Sequence, residues 1–313
     1  MEKRGISVEK ICVLMTSYNP KKYILDQVKS IIDQKDVLVD IVIRDDASTD
    51  LTWLNEVMKR YPQITVIRGK KNLGVIKNVW QLIDYANQEK QDYDFFAYSD
   101  QDDVWMPDKL TTGINVLKKS QSTRPNLYYT NLLLTDQNLN PNGNLFPTGV
   151  VKSNLGQGLA QIFEFACTSI FNKTMVNELA TIPKEFMQFD HLIYYMAIIR
   201  GKAYFDNTPY IYYRQHGENV SGNKKHDIHY ILSKLSIVVP KPSETDSSFK
   251  NISKYLLKYF EKDLTIEQRE IVFKVANYKS FLSRIKIICD RRIRAGYQPK
   301  DFYRMLRLLV GKY

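Results

Sequence analysis

Apolar positions along the first hundred residues switch repeatedly between two periods. Residues 10–16 (KICVLMT) form a continuous apolar, β-leaning run that stops at Ser17-Tyr18-Asn19-Pro20, a loop signal. Residues 23–34 then place Ile24, Val28, Ile31 and Ile32 at helical spacing, and residues 37–44 (VLVDIVIR) read as a buried strand ending at Asp45-Asp46. The unit recurs as a helix over 52–61, a strand over 64–68, a helix over 75–86 and a strand over 93–99 (YDFFAYS). Further on, Pro107 suits the first turn of a helix reaching about residue 120, and 126–135 (NLYYTNLLLT) reads as a strand followed by a turn at 136–142. A helix over 190–200 lies between irregular and mixed-sheet stretches at 156–171 and 202–214. Strands alternating with helices predict an α/β fold built on parallel βαβ units, with helices on both faces of one sheet. The core is expected to run over 1–227. A helical region is expected over 228–313, beginning with a polar, Pro/Ser-rich linker at 240–248.

In open α/β sheets ligands bind beyond the carboxyl ends of the strands. Polar clusters at 16–19, 45–50, 71–78 and 99–103 all begin where a strand stops, so four of them meet at one edge. The densest is Ser99-Asp100-Gln101-Asp102-Asp103. Like charges that close raise one another's pKa unless a cation compensates, and carboxylate oxygens suit Mg²⁺ or Mn²⁺. Taken alone, the motif is also compatible with a solvated acidic turn capping the next helix. Asp50, just before a helix, reads as an N-cap, whereas Asp46 at a strand edge can accept the imide N–H of uracil or thymine.

Thr16-Ser-Tyr-Asn-Pro20, Asp45-Asp-Ala-Ser-Thr-Asp50, Asn72-Leu-Gly74 with Asn78, and Ser99-Asp-Gln-Asp-Asp-Val-Trp105 resemble, in order and spacing, glycosyltransferase family 2 enzymes of the GT-A fold. The resemblance covers roughly residues 10–227. The wording of Tyr98–Trp105 and of Tyr213-Arg-Gln-His-Gly-Glu-Asn219 is most similar to the bacterial rhamnosyltransferase-type branch that builds surface polysaccharides. It implies that Thr16, Tyr18, Asn19, Asp46, Lys77, Asp100, Asp102 and Arg214 line the donor site, with Tyr18 against the base, Asp46 on its N–H and Lys77 reaching the diphosphate. It further implies Mn²⁺ or Mg²⁺ held by Asp102, Asp103 and His216, and Asp190, opening its helix, as the catalytic base of an inverting transfer. The donor expected from the resemblance is dTDP-rhamnose, with UDP-hexoses next. The acceptor expected is a saccharide or a lipid-linked oligosaccharide. The small-residue stretch Phe165-Ala-Cys-Thr168 occupies the family's donor-loop position.

Net charge changes the picture only at one end. Of the formal +11, residues 279–313 supply ten Lys/Arg against Asp290 and Asp301, leaving +3 for residues 1–278. A nucleic-acid-binding protein would spread cations over the core, whose strand ends here are acidic. A sugar nucleotidyltransferase would need a basic, Gly-rich loop where Thr16-Ser-Tyr-Asn-Pro20 stands. Within the tail, Phe281, Leu282, Ile285, Ile288 and Cys289 form one apolar stripe, and Phe302, Tyr303, Leu306, Leu309 and Val310 a second, each beside Arg or Lys. Such helices suit either the core or an anionic membrane surface. Three scattered cysteines imply a reducing compartment, and the start of the chain lacks the apolar stretch of a secretory signal. The expected location is the cytoplasm, peripheral to the inner face of the membrane.

Overall fold

The computed structural model describes residues 8–20, 22–184, 188–216 and 248–309. The first apolar run becomes β1 (Glu9–Ser17), and its period of two sorts its side chains between two cores. Ile11, Val13 and Met15 join one core with α1 (Tyr23–Ile32), α2 (Thr52–Arg60) and α4 (Lys109–Leu117). Cys12 and Leu14 join the other with α3 (Val75–Glu89), α6 (Lys173–Thr181) and α7 (Phe189–Arg200). Strands buried on both faces are what a parallel sheet covered by helices requires.

β2 (Val37–Asp45), β3 (Thr65–Arg68) and β4 (Phe95–Ser99) complete a parallel half of the sheet. The other half contains β5 (Val104–Trp105), β6 (Asn126–Thr135), β7 (Pro141–Asn144), β8 (Ile170–Asn172) and β9 (Lys202–Arg214). The order is β3-β2-β1-β4-β8-β6-β9-β5, with β7 beside β6. The order reverses between β1 and β4, the place where open α/β sheets bind ligands. Register brings Ser17 opposite Asp45 and Met15 opposite Ser99, so three loops leave the sheet at one level.

Some elements differ from the sequence expectation. Pro107 precedes α4, which starts after Asp108, and the Pro107 carbonyl accepts the Lys35 N–H. Asp50 is not the N-cap residue of α2, which is Leu51; it accepts the Thr52 N–H at 2.9 Å from one position earlier. β5 and α6 carried no signal that periodicity could read, since β5 is two residues long and α6 mixes polar and apolar positions.

The expected domain boundary at 227 and the linker over 240–247 lie outside the described residues. Beyond them come α8 (Phe249–Phe260), α9 (Ile266–Asn277), α10 (Phe281–Cys289) and α11 (Gln298–Leu309). These helices share the α3–α6–α7 core: Ile252, Leu256, Val272, Ile287 and Leu308 are all buried in it. At Gly156, in the short helix α5 (Leu155–Gly158), a Cβ would lie 2.0 Å from the Arg292 carbonyl oxygen, so only glycine permits this approach of the tail. The two expected apolar stripes are not the packed faces. Phe281, Leu282, Cys289, Phe302 and Tyr303 are exposed, Ile285, Ile288, Leu306 and Leu309 are half-buried, and Val310 lies outside the described residues. Their helices dock instead through Ile287, Leu308 and a buried Arg304.

Asp290 ties the tail together, bonding Lys274, and Arg292 at 2.8 Å, which hold its carboxyl well below the usual range. A depressed carboxylate stabilises above its unfolded pKa and loses that contribution as pH falls through the folded value. Asp290→Asn is therefore expected to cost about 1–3 kcal/mol at neutral pH. In thermal melts its deficit against the unsubstituted chain should be constant above about pH 5 and shrink towards zero in acid.

Candidate active site

The loops leaving β1, β2 and β4 are stitched to one another by side chains. Gln101 accepts the Tyr18 N–H at 2.9 Å and donates back to its carbonyl at 3.3 Å. Thr16 and Tyr98 share a hydroxyl contact of 2.6 Å. Asn19, in the left-handed region at φ 41°, uses its amide oxygen for the Thr49 N–H at 2.9 Å, while its own N–H donates to Ser48. Its role is to shape the wall that Tyr18 overhangs, and Tyr18 itself is exposed.

Asp46 lies at this edge as expected, but at 2% exposure and with its oxygens already engaged. They accept the Leu73 N–H at 3.0 Å, the Gly74 N–H at 2.8 Å and Arg44 at 3.5 Å. With the Leu73 N–H shared between both oxygens, these contacts already match the roughly four lone-pair sites of a carboxylate, so a base N–H would compete with them. Gly74, at φ 80°, then lets the chain enter α3, where Lys77 is exposed in the first turn and has no hydrogen bond or ion pair among the described residues.

On the other side of β1 the acidic loop 100–103 meets the end of β9. Asp102 Oδ2 lies 2.8 Å from His216 Nε2, both partly accessible, and the His216 ring stacks on Tyr23 at 5.2 Å. A carboxylate and an imidazole meeting in this way are suitable donors for Mn²⁺ or Mg²⁺. Asp100, Asp103 and Cys167 also converge, with ligand atoms within 4.8 Å of one another. Burial pushes the Cys167 thiol well above its usual range, and a protonated thiol is a poor ligand for a hard cation. Asp103, expected as a ligand, is fully buried; Oδ1 accepts the Arg214 N–H at 3.1 Å, and Oδ2 has no hydrogen bond among the described residues. Asp100 is pushed up to about 7, first by burial and then by the charge of Asp102.

Arg214, expected on the donor, is 3% exposed and its guanidinium is committed elsewhere. It donates to the Asp102 carbonyl at 2.9 Å, the Gln137 carbonyl at 2.8 Å and Asp26 at 3.2 Å, and it lies 4.3 Å over the Tyr23 ring. It is a brace for the acidic loop.

Asp190 is half-buried in the first turn of α7, with Oδ1 on the His191 N–H at 2.9 Å. Its neighbour Phe189 is wedged among Trp80, Tyr98 and Phe171. The charge of Asp190 contributes, after burial, to raising Glu164 and, least of the causes, Asp100. Glu164 was not anticipated: it is buried, bonded to Ser169, and one carboxylate oxygen has no hydrogen bond among the described residues. A lone acid within QIFEFAC was its signal in the sequence. Lys109 was missed too. It is fully buried over the Trp105 ring at 3.7 Å, and burial lowers it to about 7.

Residues 12–171 match the family model of Glycosyl transferase family 2. The chain belongs to this family. Over 228 residues it is 32% identical to dTDP-rhamnosyl transferase RfbG of Shigella flexneri, covering 66% of this chain and 73% of that protein. Among solved structures it is similar to S. aureus TarS (residues 1–349) in complex with UDP-GlcNAc, with a TM-score of 0.61, 14% identity, and coverage of 96% and 91%. It is also similar to mannosyltransferase PcManGT from Pyrobaculum calidifontis in complex with GDP-Man and Mn²⁺, with a TM-score of 0.50, 14% identity, and coverage of 96% and 85%. The fold of this family 2 glycosyltransferase is GT-A.

The committed bonds of Arg214 separate bracing from donor contact. Arg214→Lys keeps one charge and loses the planar fork, so it should lower the melting temperature by a few degrees, on the scale of about 1–3 kcal/mol for buried hydrogen bonds left unmade. Donor KM and Mn²⁺ affinity should worsen along with it. A raised donor KM at unchanged melting temperature would instead place Arg214 on the diphosphate.

Proposed function

We propose that this glycosyltransferase is a divalent-cation-dependent, inverting enzyme that moves rhamnose from dTDP-rhamnose onto a hydroxyl of a saccharide or lipid-linked oligosaccharide in surface polysaccharide synthesis. The observation that carries the reading is the Asp102–His216 pair at 2.8 Å on the carboxyl edge of the sheet. The likeness to a protein named as a dTDP-rhamnosyl transferase favours this donor.

Tyr18, exposed beside Gln101, stacks on the base, while Thr16 and Asn19 shape the wall and Asp46 holds the Leu73–Gly74 turn against it. Lys77, free in the first turn of α3, reaches the diphosphate, where the helix N-terminus adds a favourable field. Asp102 and His216 hold the cation, with Asp100 and Asp103 behind; when bound, it neutralises the departing diphosphate and removes the need for a general acid there. Asp190 takes the proton of the acceptor hydroxyl, whose oxygen attacks the anomeric carbon as the bond to the diphosphate oxygen breaks on the opposite face. The anomeric configuration inverts in that single displacement. Residues 1–227 form the catalytic domain and 228–313 the helical appendage on its flank.

A thermal-shift panel of nucleoside diphosphates and nucleotide sugars tests the donor. dTDP and dTDP-rhamnose should stabilise the chain in the presence of Mn²⁺ and much less in its absence, and Asp102→Ala should remove that difference. Asp190→Asn should lower transfer by about 10²–10⁴-fold while leaving the dTDP shift in place. Near-normal turnover in Asp190→Asn would exclude it as the base, and a panel answering only to UDP-hexoses would reassign the donor.

A further inference from the structure

α10 and α11 form an antiparallel pair on the outside of the molecule. Arg284 near the start of α10 donates to the Leu309 carbonyl at the end of α11 at 3.1 Å, and Arg304 of α11 donates to the Ile287 carbonyl at 3.4 Å. Their inner faces dock through Ile287 and Leu308. Their outer faces leave Phe281 at 60% exposure, Leu282 at 72%, Phe302 at 57% and Tyr303 at 36%. Four large apolar side chains beside the packed ones are more than the single exposed residues that any surface carries.

The charges on this pair are sorted by direction. Its two acids are consumed internally: Asp290 by Lys274 and Arg292, and Asp301 by the Ala295 and Gly296 N–H groups and Arg304. Lys279, Lys286 and Arg291 are exposed and have no ion-pair partner among the described residues. The outer face therefore presents apolar side chains and uncompensated cations with no acid among them. Cations spread between inserted side chains match a surface of mobile anionic headgroups over hydrocarbon, which needs no fixed stereochemistry.

We propose that the α10–α11 face docks this enzyme onto an anionic lipid bilayer, with Phe281, Leu282, Phe302 and Tyr303 in the interface and Lys279, Lys286 and Arg291 among the headgroups. The proposal deepens the reading of a lipid-linked acceptor, yet its test involves no sugar transfer. No helix among the described residues is long and apolar enough to cross a membrane, so attachment through this face is peripheral.

The full chain is floated with vesicles of phosphatidylcholine alone or mixed with phosphatidylglycerol. Binding is expected only to the anionic vesicles and is expected to be reversed by salt. Each cation near such a surface is worth about fivefold in affinity, so K279Q/K286Q/R291Q should bind on the order of a hundredfold more weakly. F281S/L282S/F302S should fail to float even at low salt. Both variants should keep the melting temperature and the dTDP shift of the unsubstituted chain. Loss of the dTDP shift in all three proteins would count against the catalytic reading and leave the vesicle result standing. Equal binding to neutral vesicles, no binding to either kind, or variants that bind like the original would overturn docking. So would a solution dimer that F281S/L282S/F302S abolishes, or short RNA binding that K279Q/K286Q/R291Q abolishes and the apolar variant retains.

Discussion

The loop after β4 crowds three carboxylates into four residues, and burial together with their mutual repulsion raises the carboxyls of Asp100 and Asp103. Arg214 offsets part of this at Asp103. Its backbone N–H serves Asp103 and its guanidinium the Asp102 carbonyl, while Asp26 and the Tyr23 ring hold the guanidinium from the α1 side. The same strand end delivers His216 two residues later. Because β5 pairs with β9 through Val104↔Tyr212 and Trp105↔Ile211, one antiparallel ladder fixes both the acidic loop and the histidine. The 2.8 Å approach of Asp102 to His216 thus follows from sheet register, and loop flexibility has little part in it.

The acceptor side depends on packing of another kind. Asp190 begins a helix whose preceding residue, Phe189, is fixed among Trp80, Tyr98 and Phe171. Tyr98 also touches Thr16 at the end of β1 through its hydroxyl, so one buried ring system links the start of α7 to the end of β1. Tyr194 and Tyr195 then tie α7 to α5 through the Asn154 and Gly158 carbonyls. Rigid aromatic packing on one side and a sheet ladder on the other leave the acidic centre little freedom to drift.

The parallel half of the sheet was legible because its strands are long apolar runs broken by polar loops, and those loops carry the motif residues. Residues whose function depends on distant partners were harder to read. Arg214 and Asp103 lie within motif text that points to a ligand, yet they bond each other, a relation between β9 and the β4 loop that linear spacing does not encode. Asp46 was placed at the correct edge, but its engagement by Leu73 and Gly74 depends on how the turn before α3 folds back. In the tail, helical periodicity identified the helices but left open which face packs; Arg304 is buried by bonding the Ile287 and Ile288 carbonyls, and a hydrophobic pattern counts arginine as outward.

The tail and the catalytic helix are mechanically continuous. Gly156 admits the Arg292 backbone, and Gln157 bridges the Val150 and Ala295 carbonyls at 2.8 Å each. The same four-residue helix receives the tyrosine hydroxyls of α7, whose first turn bears Asp190. A short chain of buried hydrogen bonds thus connects the segment between α10 and α11 to the helix that bears Asp190. Bonds of this kind transmit position well, since a broken buried bond leaves an unsatisfied group that costs about 1–3 kcal/mol.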